Sequence, residues 1–66
     1  MHIQILLKQT RKRKNFTLAK LSAKTGISTT HINDIENNIK EPSLSMMIRL
    51  AKALDVEISE LYKVKW

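Results

Sequence analysis

The stretch TGISTTHINDIENN, residues 25–38, holds the chain's single glycine and a run of small hydrogen-bonding side chains spaced by isoleucines. Taken at about 100° per residue, Ile32, Ile35 and Ile39 gather on one side with Glu36 at the edge. Thr29, Thr30, Asn33, Asp34 and Asn37 gather on the other. Ser28 is placed to cap this helix, roughly Thr29 to Asn37, by accepting from a first-turn N–H. Upstream, Thr17 caps a helix reading LAKLSAKT, in which Leu18, Leu21 and Ser22 stand at i, i+3 and i+4. Gly26 can close that helix in the left-handed conformation. The stretch therefore predicts two short helices at a tight turn, the second with a polar, protruding face.

Working outward, the pattern predicts five helical segments in all, a compact all-α bundle. The first runs from about Leu6 to Arg13. The segment KEPSL interrupts the periodicity, because Pro42 disfavours helical geometry in the residue before it, and Ser43 then caps a fourth helix through Leu54. Met47, Leu50, Ala51 and Leu54 form its apolar stripe, and Phe16 reads as core. A short fifth helix, ISELY, follows Val56. HIQI at the start and YKVKW at the end alternate with period two, which suits strands. They either pair as a two-stranded antiparallel ribbon from the N- and C-termini or extend the neighbouring helices.

Size and charge bound the function. The 66 residues contain no cysteine, so no disulfide or thiolate zinc site supports the fold, and residues 1–66 read as one small domain with little room for a deep pocket. No metal or cofactor site is expected, since only His2 and His31 supply imidazoles. No small-molecule effector site is evident, and no attached sensing domain is read. The apolar runs are too short to cross a membrane and no cleavable leader is visible, which predicts a cytoplasmic setting. The net charge is +6. Its distribution is uneven: Lys8, Arg11, Lys12, Arg13, Lys14, Lys20 and Lys24 precede every acidic residue, the first of which is Asp34. A polyanionic partner is implied, against the plainer reading of a solvated basic face.

Threonine and asparagine on one helix face offer the donors and acceptors that base edges complement, and threonine adds a methyl for thymine. A turn that presents such a face defines a helix-turn-helix, here about residues 17–37. The run from Leu7 to Leu61 resembles the Xre family of lambda-repressor-like helix-turn-helix domains. The resemblance rests on Leu21, Ser22, Gly26, Ile27, Ser28, Ile32, Ile35 and Glu36, followed in register by Pro42-Ser43-Leu44 and LAKAL.

The resemblance implies double-stranded DNA as partner, with the third helix in the major groove and Thr29, Thr30, Asn33 and Asp34 at base edges. It implies phosphate contacts from Asn37 and Lys40, to which Thr17, Ser28 and His31 are added as neighbouring candidates. It also implies a structural ion pair between Arg11 and Glu36. Two departures stand out. Leu18 occupies the place where the family carries a phosphate-binding glutamine, and Asn38 replaces the glycine after the glutamate, a position where asparagine still reaches a left-handed turn.

The expected function is a sequence-specific DNA-binding transcriptional regulator, acting as a repressor on a palindromic operator as a homodimer. The dimer surface is assigned to residues 55–66, chiefly Ile58, Leu61, Tyr62, Val64 and Trp66, which so small a bundle can hardly bury. The alternative is an antitoxin or other interaction module that binds DNA only with a partner. Enzymatic activity is not expected, because neither histidine has a nucleophile or orienting carboxylate arranged with it.

Overall fold

The computed structural model describes residues 1–66. A strand β1 (His2–Ile5) leads into helices α1 (Leu7–Arg13), α2 (Leu18–Thr25), α3 (Thr29–Glu36) and α4 (Leu44–Leu54), then a 3-10 helix (Ile58–Leu61) and strand β2 (Tyr62–Lys65). The all-α bundle is thus four α-helices with a small antiparallel sheet. The alternating termini pair with each other, His2 opposite Lys65 and Ile5 opposite Tyr62. Alternation puts Ile3, Ile5, Tyr62 and Val64 on one face of the ribbon and the polar residues on the other.

The core consists of Leu7, Leu21, Ile27, Ile32, Ile35, Met47, Leu50, Ala51, Leu54 and Leu61, one or more from each helix and the 3-10 segment. Seven side chains are sealed from solvent: Leu7, Leu21, Ile32, Ile35, Leu50, Leu54 and Leu61. Each fully buried aliphatic side chain contributes about 1.5–3 kcal/mol by leaving water. Phe16 and Met46 are only partly buried and pack against the rim of this core.

The helix ends are closed by short-range bonds, so the connecting loops are brief. Thr17, Ser28 and Ser43 each accept an N–H three residues on, from Lys20, His31 and Met46. Three helices stop in the same manner. Asn15, Asn38 and Asp55 adopt φ of 61°, 60° and 57°, and each donates to the carbonyl three back while the next residue donates to the carbonyl five back. That pair of bonds satisfies carbonyls the helix leaves free. Asparagine and aspartate tolerate this left-handed conformation better than other non-glycine residues, so one glycine suffices for the whole chain.

The structure corrects several sequence readings. ISELY is not an α-helix: only Ile58–Leu61 coil, with 3-10 geometry, and Tyr62 already belongs to β2. Glu57 and Glu60 form a reciprocal capping box that tightens this turn. Ile39 does not join Ile32 and Ile35, because α3 ends at Glu36 and the reversal at Asn38 leaves Ile39 69% exposed. Leu61 cannot serve a dimer surface in this fold, since it is 0% exposed within the core. Of the other tail residues assigned to that surface, Ile58, Tyr62 and Val64 are half-buried, and Trp66 is exposed.

Candidate nucleic-acid interface

The polar helix is held from below. Ile32 and Ile35 are 0% exposed, and this fixes the rotation of α3 about its axis. Thr29, Thr30 and Asn33 consequently stand in solvent, while Asp34 and His31 are half-buried at its flanks. None of the side chains of Thr29, Thr30, Asn33 or Asp34 is spent on a hydrogen bond within the chain. Their donors and acceptors are free for an external partner.

The turn in front of α3 is pinned at several points. Gly26 takes φ 74° and returns its N–H to the Ser22 carbonyl. Thr25 is buried, donates its hydroxyl to the Leu21 carbonyl at 2.8 Å and accepts from the Ile27 N–H at 3.2 Å. The Thr25 carbonyl accepts from the Arg49 guanidinium of α4. Sequence reasoning passed over both residues. The Thr25 role was detectable, since a threonine next to a helix-ending glycine often bonds back to the preceding turn. The Arg49 role depends on a contact 24 residues away that no local pattern encodes.

The far end of α3 is held by the buried pair that the structure forms between Arg11 and Glu36. Arg11 donates through Nε to one carboxylate oxygen at 2.7 Å and through Nη2 to the other at 3.2 Å, a two-pronged contact. Its Nη1 donates to the Phe16 carbonyl at 2.8 Å. The side chains are 9% and 1% exposed, so α1, the loop at Phe16 and α3 are locked together away from water.

The residues assigned to phosphate occupy the helix starts and the loop after α3. Thr17 and Ser28 use an oxygen lone pair to cap their helices; each hydroxyl proton remains available to donate outward. Asn37 and Lys40 are exposed. The loop carrying them is folded onto the helix, with the Ile39 and Lys40 N–H groups both directed to the Asp34 carbonyl, at 2.8 and 3.3 Å.

The basic residues divide by role. Arg13 is tied to Glu60 at 3.1 Å, and the Lys20 and Lys24 amines sit 4.5 and 5.6 Å from the centroid of the Phe16 ring. Lys8 and Lys12 are exposed. Only two ion pairs form in the whole chain, which leaves most of its positive charge uncompensated and free to attract a polyanion. The Glu60 carboxyl lies below its ordinary value of 4.5, chiefly because the Glu57 N–H donates to it; partial desolvation opposes the shift and Arg13 adds to it.

Comparison with known proteins gives this geometry its setting. A helix-turn-helix family model matches residues 7–61. The chain is 37% identical over 57 residues to the HTH-type transcriptional regulator y4dL of Sinorhizobium fredii, covering 86% of this chain and 29% of that protein. It is 32% identical over 60 residues to the HTH-type transcriptional regulator SinR of Bacillus subtilis, covering 89% and 54%. The chain thus spans about half or less of the curated relatives it matches. Among solved structures, a protein of Bacteroides fragilis superposes with a TM-score of 0.87 at 26% identity, covering 94% of this chain and all of that one (100%). SinR in complex with DNA superposes with a TM-score of 0.74 at 31% identity, covering 80% and 86%.

Proposed function

The chain belongs to the helix-turn-helix family of transcriptional regulators, and from that premise we propose that it is a sequence-specific DNA-binding repressor that docks α3 in the major groove of a palindromic operator. The observation that carries this reading is the α3 face. Thr29, Thr30 and Asn33 are exposed and unpaired on a helix whose rotation, start and end are fixed by Ile32 and Ile35, the pinned turn and the Arg11–Glu36 pair. Rigid presentation of free hydrogen-bonding groups is what base discrimination requires.

The division of labour follows. Thr29, Thr30, Asn33 and Asp34 read base edges, while Thr17, Ser28, His31, Asn37 and Lys40 contact the backbone and set the register. Asp34 suits a cytosine amino group, a base donor that a carboxylate accepts in the major groove. Lys8, Lys12, Lys20 and Lys24 attract without discriminating. A single module of this size makes few contacts, so two copies on half-sites about 34 Å apart supply the affinity.

Selection of binding sites from random duplex DNA tests the reading. An enriched, two-fold symmetric site is expected. On that site, Asn33→Ala should cost about 1–3 kcal/mol and relax preference at one base position, whereas Lys40→Ala should weaken all sequences alike and reduce the salt slope by about 1. A pool with no enriched sequence, bound only at low salt, would refute it.

A further inference from the structure

A cavity of about 240 Å³ opens between the carboxyl end of α2 and the second half of α4. Lys24, Thr25, Arg49, Lys52 and Ala53 line it, and none of the chain's six acidic residues does. Arg49, Lys52 and Ala53 share one face of α4 through their i, i+3, i+4 spacing, and the fold sets that face against Lys24 in the last turn of α2. Nothing local in the sequence joins them. Neither Arg49 nor either lysine enters one of the chain's ion pairs. Lys24 and Lys52 each stand in the last turn of their helix, and a helix carboxyl end offers only about half a negative charge. Two such ends leave a surplus of about two positive charges in one concave site, where like charges repel.

We propose that this cavity binds a small phosphate dianion, either free phosphate or a phosphomonoester, on Arg49, Lys24 and Lys52. Three features select that ligand. A phosphomonoester carries about −1.5 to −2 at neutral pH, which matches the surplus. The guanidinium fork pairs with two phosphate oxygens at once, and lysine ammoniums supply point charges to the rest. Arg49 is already oriented: its Nη2 donates to the Thr25 carbonyl, and its other donors have no acceptor within the chain, so binding loses little side-chain freedom. The small side chain of Ala53 keeps the cavity open beside it. The volume lies below the range of about 300–1,000 Å³ that holds larger organic ligands, which favours a phosphate group with at most a short substituent. A duplex backbone is the less suited occupant, because the cavity is recessed and sits at the opposite end of α2 from Thr17. The site also touches the turn that aims α3. A phosphate on the free donors of Arg49 holds the guanidinium where the Thr25 carbonyl needs it, so ligand and operator should strengthen each other's binding. This coupling, unlike the site itself, rests on the DNA-reading proposal above.

Titration of the full chain with inorganic phosphate and, separately, with glycerol phosphate, following backbone amide resonances by NMR against sodium chloride at equal ionic strength, tests the site. Saturable shifts confined to Lys24, Thr25, Arg49, Lys52 and Ala53 are expected, and the tighter of the two probes identifies the free ion or the ester as the ligand. Lys52→Gln, at an exposed and unpaired position, should melt as the wild type does and weaken phosphate binding about fivefold or more, the effect of one charge at close range. Shifts spread over all the lysines, shifts that never saturate, or a Lys52→Gln chain that binds phosphate as well as wild type would overturn the proposal. So would operator DNA that displaces the phosphate and shifts the same five residues, since the cavity would then be one more contact to the duplex backbone. Operator affinity should rise severalfold in saturating phosphate at fixed ionic strength in the wild type and not in Lys52→Gln; an unchanged or lowered wild-type affinity overturns the coupling. A chain that binds phosphate in this cavity but selects no operator keeps the site and loses the DNA-reading proposal; one that selects an operator but binds no phosphate does the reverse.

Discussion

Replacing Glu36 by glutamine keeps the shape of the side chain and removes its charge, which leaves the Arg11 guanidinium buried without a counter-ion. With the two side chains at 9% and 1% exposure, water cannot reach in to compensate. Breaking one partner of a buried pair costs about 3–5 kcal/mol; glutamine still accepts one of the two donated bonds, so the lower figure applies. A chain of 66 residues has a total stability of about 3–10 kcal/mol, so the loss is a large share of it. At about 4–8 °C per kcal/mol for a domain of this size, the melting temperature should fall by roughly 12–24 °C. Circular dichroism at 222 nm, a wavelength set by helical backbone, follows this directly. The second arm is Arg11→Met with Glu36→Leu, which removes both charges and leaves only the Phe16 carbonyl short of a donor, at about 1 kcal/mol. The double variant should therefore melt above Glu36→Gln. A single variant within about 0.5 kcal/mol of wild type, the range of ordinary surface changes, would show that the pair does not hold α3, and a double variant no better than the single would show that the cost is not one of unpaired charge.

Gly26→Ala forces φ 74° on an L-residue and brings a methyl within 3.3 Å of the Arg49 guanidinium; about 1–2 kcal/mol should be lost in urea titration. Arg49→Met removes the donor to the Thr25 carbonyl and should weaken binding to the selected operator more than it lowers the melting temperature, because it loosens the turn that aims α3. Alanine at Asn15, Asn38 or Asp55 should each cost about 1 kcal/mol, while valine at Lys12 should not approach this, its exposure and ordinary dihedral placing it among surface positions worth under about 0.5 kcal/mol beyond helix propensity. The Glu60 carboxyl has a depressed folded-state pKa, so its stabilising contribution is complete above the unfolded value near 4.5 and fades as pH drops through the lower folded value. Acid titration of Glu60→Gln against wild type should show a stability gap that closes in that window; a gap that widens with acid would contradict the assignment.

The parts of the fold legible in sequence are those fixed by neighbours in the chain. Thr17, Ser28 and Ser43 announce helix starts because a cap is made three residues away, and Gly26 announces a stop because few other residues take its φ. The end of α4 at Leu54 is legible from its apolar stripe, but the part Asp55 plays is not, since aspartate signals a helix start as readily and its left-handed geometry is set by the bonds of Asp55 and Val56 to α4 carbonyls. Leu61 was misplaced because an apolar residue near the end of the chain looks unburied until β2 and β1 close over the bundle. Its carbonyl accepts from Leu6 at 2.8 Å, which ties the end of the fold to its start. On the candidate site, periodicity separated the α3 faces up to Glu36 and failed only at Ile39, where the backbone reverses. The Arg49 brace is a tertiary contact with no periodic trace.

The ribbon that pairs His2 with Lys65 brings the start and the end of the fold side by side. Paired residues on neighbouring antiparallel strands have their Cα atoms about 4.5–5.5 Å apart, a gap that a few flexible residues can bridge. A variant stitched there and opened instead in the exposed Lys40–Glu41 loop should keep the same core with a new order of elements, and α4 would come first off the ribosome and α3 last. Ordinarily the residues that flank the reading helix are threaded between segments on both sides; in the reordered chain the reading helix would hang from a free end, so comparing the two would separate what α3 owes to its anchors from what it owes to chain connectivity.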